Sequence, residues 1–256
     1  IPQILVSSSR VHSCDYDKDG DLDLFVGGRL VPGNYPAPTN SYLLENKSAG
    51  DNIFFADASP SMLAKAGMVT DALWTDFDQD GWTDLIVIGE WMSIMVLKNE
   101  KGTFKDVSAS LGLEDTRGWW FGIAEGDFDQ DGDIDFLVGN LGENYKYKAN
   151  EEATFDIYFD DFDDNNTKDI VLSYVNEGEE YPVRGRQCSA QQMPAIKAKY
   201  KNYDSYANAT LSDVYTKQAL ENALHYQVKS FANIYLENKG NRFKIHRLPN
   251  LAQISS

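Results

Sequence analysis

One nine-residue pattern, repeated four times, limits what this chain can become. It runs through Asp15, Asp17, Asp19, Gly20, Asp21 and Asp23, then through Asp76, Asp78, Asp80, Gly81, Trp82 and Asp84. It returns at Asp127, Asp129, Asp131, Gly132, Asp133 and Asp135, and finally at Asp161, Asp163, Asn165, Asn166, Thr167 and Asp169. Each copy leads directly into a short β-rich apolar run: Leu24 to Val26, Leu85 to Ile88, Phe136 to Val138, and Ile170 to Leu172. Runs this short, opening just after a polar turn, read as buried strands.

A second element recurs at Ser41 to Asn46, Ile94 to Asn99 and Asn233 to Asn238, each ending in Leu-Glu-Asn or Leu-Lys-Asn. A turn bearing Gly50, Gly102 or Gly240 follows, then Phe54, Phe104 or Phe243 opens another strand, the signature of a hairpin. Loop, inner strand and hairpin together make a propeller blade. The fold class expected is therefore all-β, a propeller or partial propeller of antiparallel blades over residues 1–256. Residues 187–228 are expected as a helical insertion inside the fourth repeat, because Thr210 to Asp213 has the form of a capping box and apolar residues follow at helical spacing.

The loops have the chemistry of calcium sites. Calcium is a hard cation that takes six to eight oxygens in flexible geometry, whereas magnesium prefers a stricter octahedron and keeps its waters. Side chains at positions 1, 3 and 5 (Asp15, Asp17, Asp19 and their equivalents, ending with Asn165) can converge on one point. Glycine or asparagine at position 6 permits the left-handed backbone that turns the position 7 carbonyl inward, at Asp21, Trp82, Asp133 and Thr167. The position 9 carboxylates of Asp23, Asp84, Asp135 and Asp169 close the cage. Up to four calcium ions are expected, the fourth held most weakly because Asn165 is neutral. An EF-hand needs a carboxylate at position 12, where these loops carry Val26, Val87, Val138 and Leu172. The aromatic residue at position 2 (Tyr16, Phe77, Phe128, Phe162) is expected to pack beneath each loop.

The net charge of −17 disfavours nucleic acid or anionic lipid as a partner. No apolar run reaches the length of a spanning helix, so this segment is expected not to insert into a membrane. A first residue of Ile rather than Met suggests a processed chain. Two cysteines, Cys14 and Cys188, are too few for a disulfide scaffold. His12, His225 and His246 are scattered and read as ordinary histidines. The five tryptophans, Trp74 to Trp120, read as blade packing. No nucleophile elbow, zinc cluster or phosphate loop is present.

Phe121-Gly122 followed by Gly126-Asp127, together with the loops, resembles the FG-GAP and VCBS repeat proteins, whose calcium loops also occur in integrin α-chains. Gly27-Gly28-Arg29, Thr70 to Trp74 and Arg117 to Trp120 are similar to bacterial relatives of cartilage acidic protein. The resemblance implies a propeller working outside the cytoplasm, in the extracellular space or cell envelope, in adhesion or ligand binding. The expected function is a non-enzymatic calcium-binding module with a protein or glycan partner. The alternative is a polysaccharide lyase or hydrolase with structural calcium.

Overall fold

Each Asp-rich turn feeds its strand into an antiparallel sheet of four or five strands. The computed structural model describes residues 2–254. The first sheet takes β1 (Ser7–Cys14), β2 (Asp23–Leu30), β3 (Tyr42–Asn46) and β4 (Phe55–Asp57) in chain order. The second takes β5 (Met68–Thr75), β6 (Asp84–Met92), β7 (Met95–Asn99) and β8 (Phe104–Asp106), with the short β9 (Gly118–Trp119) beside β6. The third begins with β10 (Gly122–Gly126) and β11 (Asp135–Gly139).

The chain then leaves the third sheet and builds a separate compact unit, Lys146–Ser230. It contains β12 (Phe155–Asp160), β13 (Asp169–Asn176) and β14 (Glu179–Pro182). Five short helices follow: α1 (Arg186–Gln192), α2 (Ala195–Lys199), α3 (Tyr203–Ala207), α4 (Leu211–Tyr215) and α5 (Lys217–Asn222). The unit ends on β15 (Leu224–Val228), which pairs with β12. Only then do β16 (Ile234–Asn238) and β17 (Phe243–Arg247) complete the third sheet, with Phe136 opposite Leu236 and Val138 opposite Ile234.

This corrects the domain reading. The Asn233–Asn238 hairpin serves the third loop, not the fourth, and the helices expected over 187–228 run from Arg186 to Asn222, between β14 and β15 of a larger separate unit, Lys146–Ser230. It carries the fourth loop and a sheet of its own, and helix gives way to strand at Leu224. The capping box at Thr210 is formed as expected, with Thr210 and Asp213 bonded reciprocally.

In the other unit, Ile1–Tyr145 with Phe231–Ser256, alternation along each strand places one set of side chains on each neighbour. Phe25 and Leu43 of the first sheet pack against Val69, Leu85, Val87 and Leu97 of the second. On the second sheet's other face, Ile86, Ile88 and Val96 pack against Phe136, Ile234 and Phe243 of the third. The middle sheet is therefore covered on both sides, and every residue of β6 is buried. Burying such side chains is worth roughly 1.5–3 kcal/mol each, the main source of cohesion between sheets. Serial stacking of this kind is blade-like, and no closed propeller is formed by the described residues. Cys14 and Cys188 are free thiols. No helix is long and apolar enough to cross a membrane.

The position 2 rings follow the stacking. Tyr16 lies 5.5 Å from Phe104 of the next sheet, and Phe77 lies 6.0 Å from Phe243 of the next, both buried. Phe128, in the last sheet of this unit, meets only Tyr235 of its own sheet and stays 46% exposed, contrary to the expected packing beneath the loop. In the inserted unit Phe162 packs edge-on against Tyr215 of α4.

Candidate metal centre

The four loops share one backbone design. Position 6 is left-handed in each, with φ of 97° at Gly20, 89° at Gly81, 94° at Gly132 and 64° at Asn166. Position 4 is left-handed too, at Lys18, Gln79, Gln130 and Asp164, a second bend that nothing in the residue types announced. The two bends fold the loop over its first aspartate. Asp76 accepts from the backbone N–H groups of Asp80 at 3.0 Å and Gly81 at 2.9 Å. Asp127 accepts from Asp131 and Gly132, and Asp161 from Asn165 and Asn166. In the first loop Asp15 accepts from Gly20.

The position 9 carboxylates anchor the loops to the sheets. Asp23, Asp84, Asp135 and Asp169 are all buried and each accepts from the N–H of its own position 2 residue. In the first three, the second oxygen accepts from the hairpin asparagine: Asn46 at 2.8 Å, Asn99 at 2.7 Å and Asn238 at 2.8 Å. The fourth has no such hairpin, because its strand belongs to the inserted sheet. Burial pushes Asp84 up to about 7 and Asp23 up to about 6, against the pull of these backbone donors, with neighbouring loop carboxylates adding to the rise. Burial and the charge of Asp131 raise Asp133 to about 6.

Carboxylate oxygens converge in every loop, within 4.8 Å of one another: Asp15, Asp17 and Asp19; Asp76, Asp78 and Asp84; Asp127, Asp129 and Asp135; Asp161, Asp163 and Asp169. Position 5 joins the converging set only at Asp19. In all four loops the position 5 side chain accepts from the N–H two residues on: Asp19 from Asp21, Asp80 from Trp82, Asp131 from Asp133 and Asn165 from Thr167. The side chains at position 7, from Asp21 through Trp82 and Asp133 to Thr167, lie outside the converging groups. Several oxygens are buried with no hydrogen-bond partner: Asp15 Oδ1, Asp21 Oδ1, Asp133 Oδ1 and Asp163 Oδ1. A buried carboxylate oxygen without a donor is costly, and a cation beside it removes that cost. The donor set, hard oxygens in a flexible loop, fits calcium.

Two features of these sites lay outside the sequence reading. The first is lysine: Lys98 bonds Asp78 and lies 3.0 Å from Asp80, while Lys239 lies 3.5 Å from Asp129 and 3.6 Å from Asp131. The second is contact between successive loops. Lys18 donates to the Gly81 carbonyl at 2.6 Å and Gln79 to the Gly132 carbonyl at 2.9 Å. The lysines stand beside the recurring hairpin asparagine, which was the available signal.

The FG-GAP-like repeat matches residues 15–87 and again residues 76–138, each match starting on a loop aspartate and ending on the strand beyond the next loop. Residues 15–138 carry FG-GAP-like repeats. The match supports the FG-GAP repeat family and bears on the first three loops; the specific link to cartilage acidic protein relatives is not shown by it. No curated protein matches the chain. Among solved structures, one described as BBS1N in complex with ARL6DN, soaked with lead, is similar over 96% of this chain and 94% of its own, at 10% identity and a TM-score of 0.25. A likeness that slight carries no argument about fold or function.

Proposed function

We propose that this FG-GAP repeat chain is a calcium-binding, non-enzymatic module in which the ions rigidify the Asp-rich loops and another surface engages a protein or glycan partner. The observation that carries the reading is the convergence of three carboxylates in each loop together with buried oxygens that lack a donor. The position 7 carbonyls of Asp21, Trp82, Asp133 and Thr167 complete the coordination in this reading. Four divalent ions would offset roughly half of the −17 net charge, which is concentrated in these loops. A setting outside the cytoplasm follows from supply, since loops of this type suit millimolar calcium better than the resting cytosol.

The test is calorimetric titration of metal-stripped protein with calcium, paired with thermal melts. A ligand that binds only the folded state stabilises it by about 2.7 kcal/mol at a hundredfold excess over its dissociation constant. Calcium should raise the melting temperature clearly, and Asp129→Ala should remove part of the gain. Identical melting curves with chelator and with excess calcium would reduce the loops to acidic turns.

A further inference from the structure

The inserted unit holds a second polar site, built from residues that the calcium loops do not use. Asp156 and Tyr158 are alternate residues of β12; Ser173 stands opposite Asp156 on β13, and His225 opposite Tyr158 on β15. These side chains therefore share one face of the sheet. Asp156 is 4% exposed. Its Oδ2 bonds His225 Nε2 at 2.6 Å and accepts from Gln227 Nε2 at 3.0 Å, while its Oδ1 is buried with no partner. The Tyr158 and His225 rings are stacked with centroids 4.1 Å apart. Glu180, from β14, accepts from Ser173 Oγ at 2.6 Å and from the Tyr158 hydroxyl at 3.1 Å.

Tyr158, Glu180 and His225 form the inner wall of a cavity of about 440 Å³. Glu179, Glu221, Lys217 and Leu220 line its mouth. The charges do not balance. Three glutamates line the cavity and Asp156 lies behind His225, facing one ammonium and one imidazole. The ammonium, Lys217, is 85% exposed and sits 3.9 Å from Glu221, so it does little for the inner wall. Glu180 feels the deficit: burial raises its carboxyl above the usual range, and the charge of Asp156 raises it further.

We propose that this cavity binds a small organic cation, a primary amine or guanidinium, with the charged head on Glu180 and the carbon chain along Leu220. The hydrogen bonds from Ser173 and Tyr158 fix the carboxylate before a ligand arrives, so little ordering is left to the ligand. An ammonium at the half-buried Glu180 supplies positive charge to the wall that it and the buried Asp156 make acidic, which a neutral sugar cannot do. An anionic sugar acid would meet repulsion from every glutamate at the mouth. A metal ion is disfavoured because Asp156 Oδ2 is already engaged by the imidazole, and these residues do not converge as the loop carboxylates do.

The experiment titrates the whole chain, in saturating calcium to occupy the loops, with cadaverine and agmatine, using glucose and glutarate as neutral and anionic probes. Saturable one-to-one binding of at least one cation is expected, weakened about tenfold or more by Glu180→Gln, a loss in keeping with one charge-assisted contact. Glu152→Gln, exposed and outside the cavity, should bind as the parent does. If Glu180→Gln melts early, the double substitution Glu179→Gln with Glu221→Gln, at exposed positions on the mouth, should still weaken binding severalfold. No saturable binding, equal binding by Glu180→Gln, or equal uptake of glucose would each overturn the proposal. None of these outcomes touches the calcium reading, whose readout is the metal-dependent melt.

Discussion

Asn99 Nδ2 donates to the Tyr16 carbonyl at 2.8 Å, so the hairpin of the second sheet holds the loop of the first. Its backbone N–H meanwhile binds Asp84, and Nδ2 also reaches the Thr83 carbonyl at 3.0 Å. Asn238 repeats the arrangement one sheet on, reaching the Phe77 carbonyl at 2.8 Å and binding Asp135 through its N–H. Each of these asparagines is thus shared between two Asp-rich loops.

Replacing Asn99 with Ala should strand buried carbonyls of both loops, at a cost of about 1–3 kcal/mol. Calcium affinity should fall at the first and second loops together, while the third is spared. Asn46→Ala should cost less, since its Nδ2 reaches only the exposed Leu22 carbonyl. A calcium titration of Asn99→Ala in which only one site weakens would show that the asparagine does not couple the loops.

Lys98 gives a prediction of mixed sign. Its ammonium bonds Asp78 and Asp80, where a divalent ion would bind, so lysine and calcium compete. Lys98→Met should lower the melting temperature of metal-free protein, because the loop charges lose their counter-ion. The same change should tighten calcium binding at the second loop by about tenfold, or about 1.4 kcal/mol. Equal calcium affinity in the two proteins would place the lysine outside the competition.

The buried position 9 acids set a pH dependence. Asp84 titrates near 7 and Asp23 near 6 in the folded chain, both above the unfolded value of about 3.9. An acid raised in this way stabilises the metal-free fold fully below the unfolded value, and that contribution is lost as pH rises through 6 and 7. Calcium needs the ionised forms, so its stabilisation grows over the same interval. The gap between melting temperatures with and without calcium should widen from pH 5 to pH 8. A gap that is flat across this range would mean that ionisation of these two carboxylates is not linked to calcium binding.

Gly89 lies where β6 crosses close to β5. A Cβ there would sit 2.2 Å from the Met68 carbonyl oxygen, a backbone atom that cannot swing aside. Gly89→Ala should therefore destabilise by about 3 kcal/mol, at the upper end for overpacking, and chemical denaturation would read it directly.

Excising residues 146–230 and joining the ends with a short flexible linker should leave the three-sheet unit folded, because its cores contain no residue from the excised segment. The product should keep its β circular dichroism and bind three calcium ions. Loss of cooperative melting would show that the unit depends on its insertion.

Much of this was legible in the chain. The short apolar run after the polar turn placed Leu85 to Ile88 in a buried strand, and the acid spacing located all four loops. Ownership of the last hairpin was not legible, since alternation says which way a side chain faces but not which strand it joins. Only 34 residues separate Asp127 from Asp161, against 61 and 51 between the earlier loops, and no Leu-Glu-Asn or Leu-Lys-Asn hairpin lies between them, which was the clue. The position 4 bends were hidden because Lys18, Gln79 and Gln130 are not residues that favour the left-handed region. The cavity at Glu180 was hidden for another reason: β12, β14 and β15 carry its wall, and Asp156 and His225 meet only through pairing across the sheet.

The nesting of one unit between β11 and β16 also bears on how the chain is made. During synthesis β11 emerges long before its partner, and the ladder between Phe136 and Leu236 cannot form until residues 146–230 have left the ribosome. For that interval the β11 edge is open to any other strand, including that of a neighbouring nascent chain. Pairing of β12 with β15 closes the inserted unit, with Phe155 opposite Val228, and so draws together the two ends of the segment that separates β11 from β16.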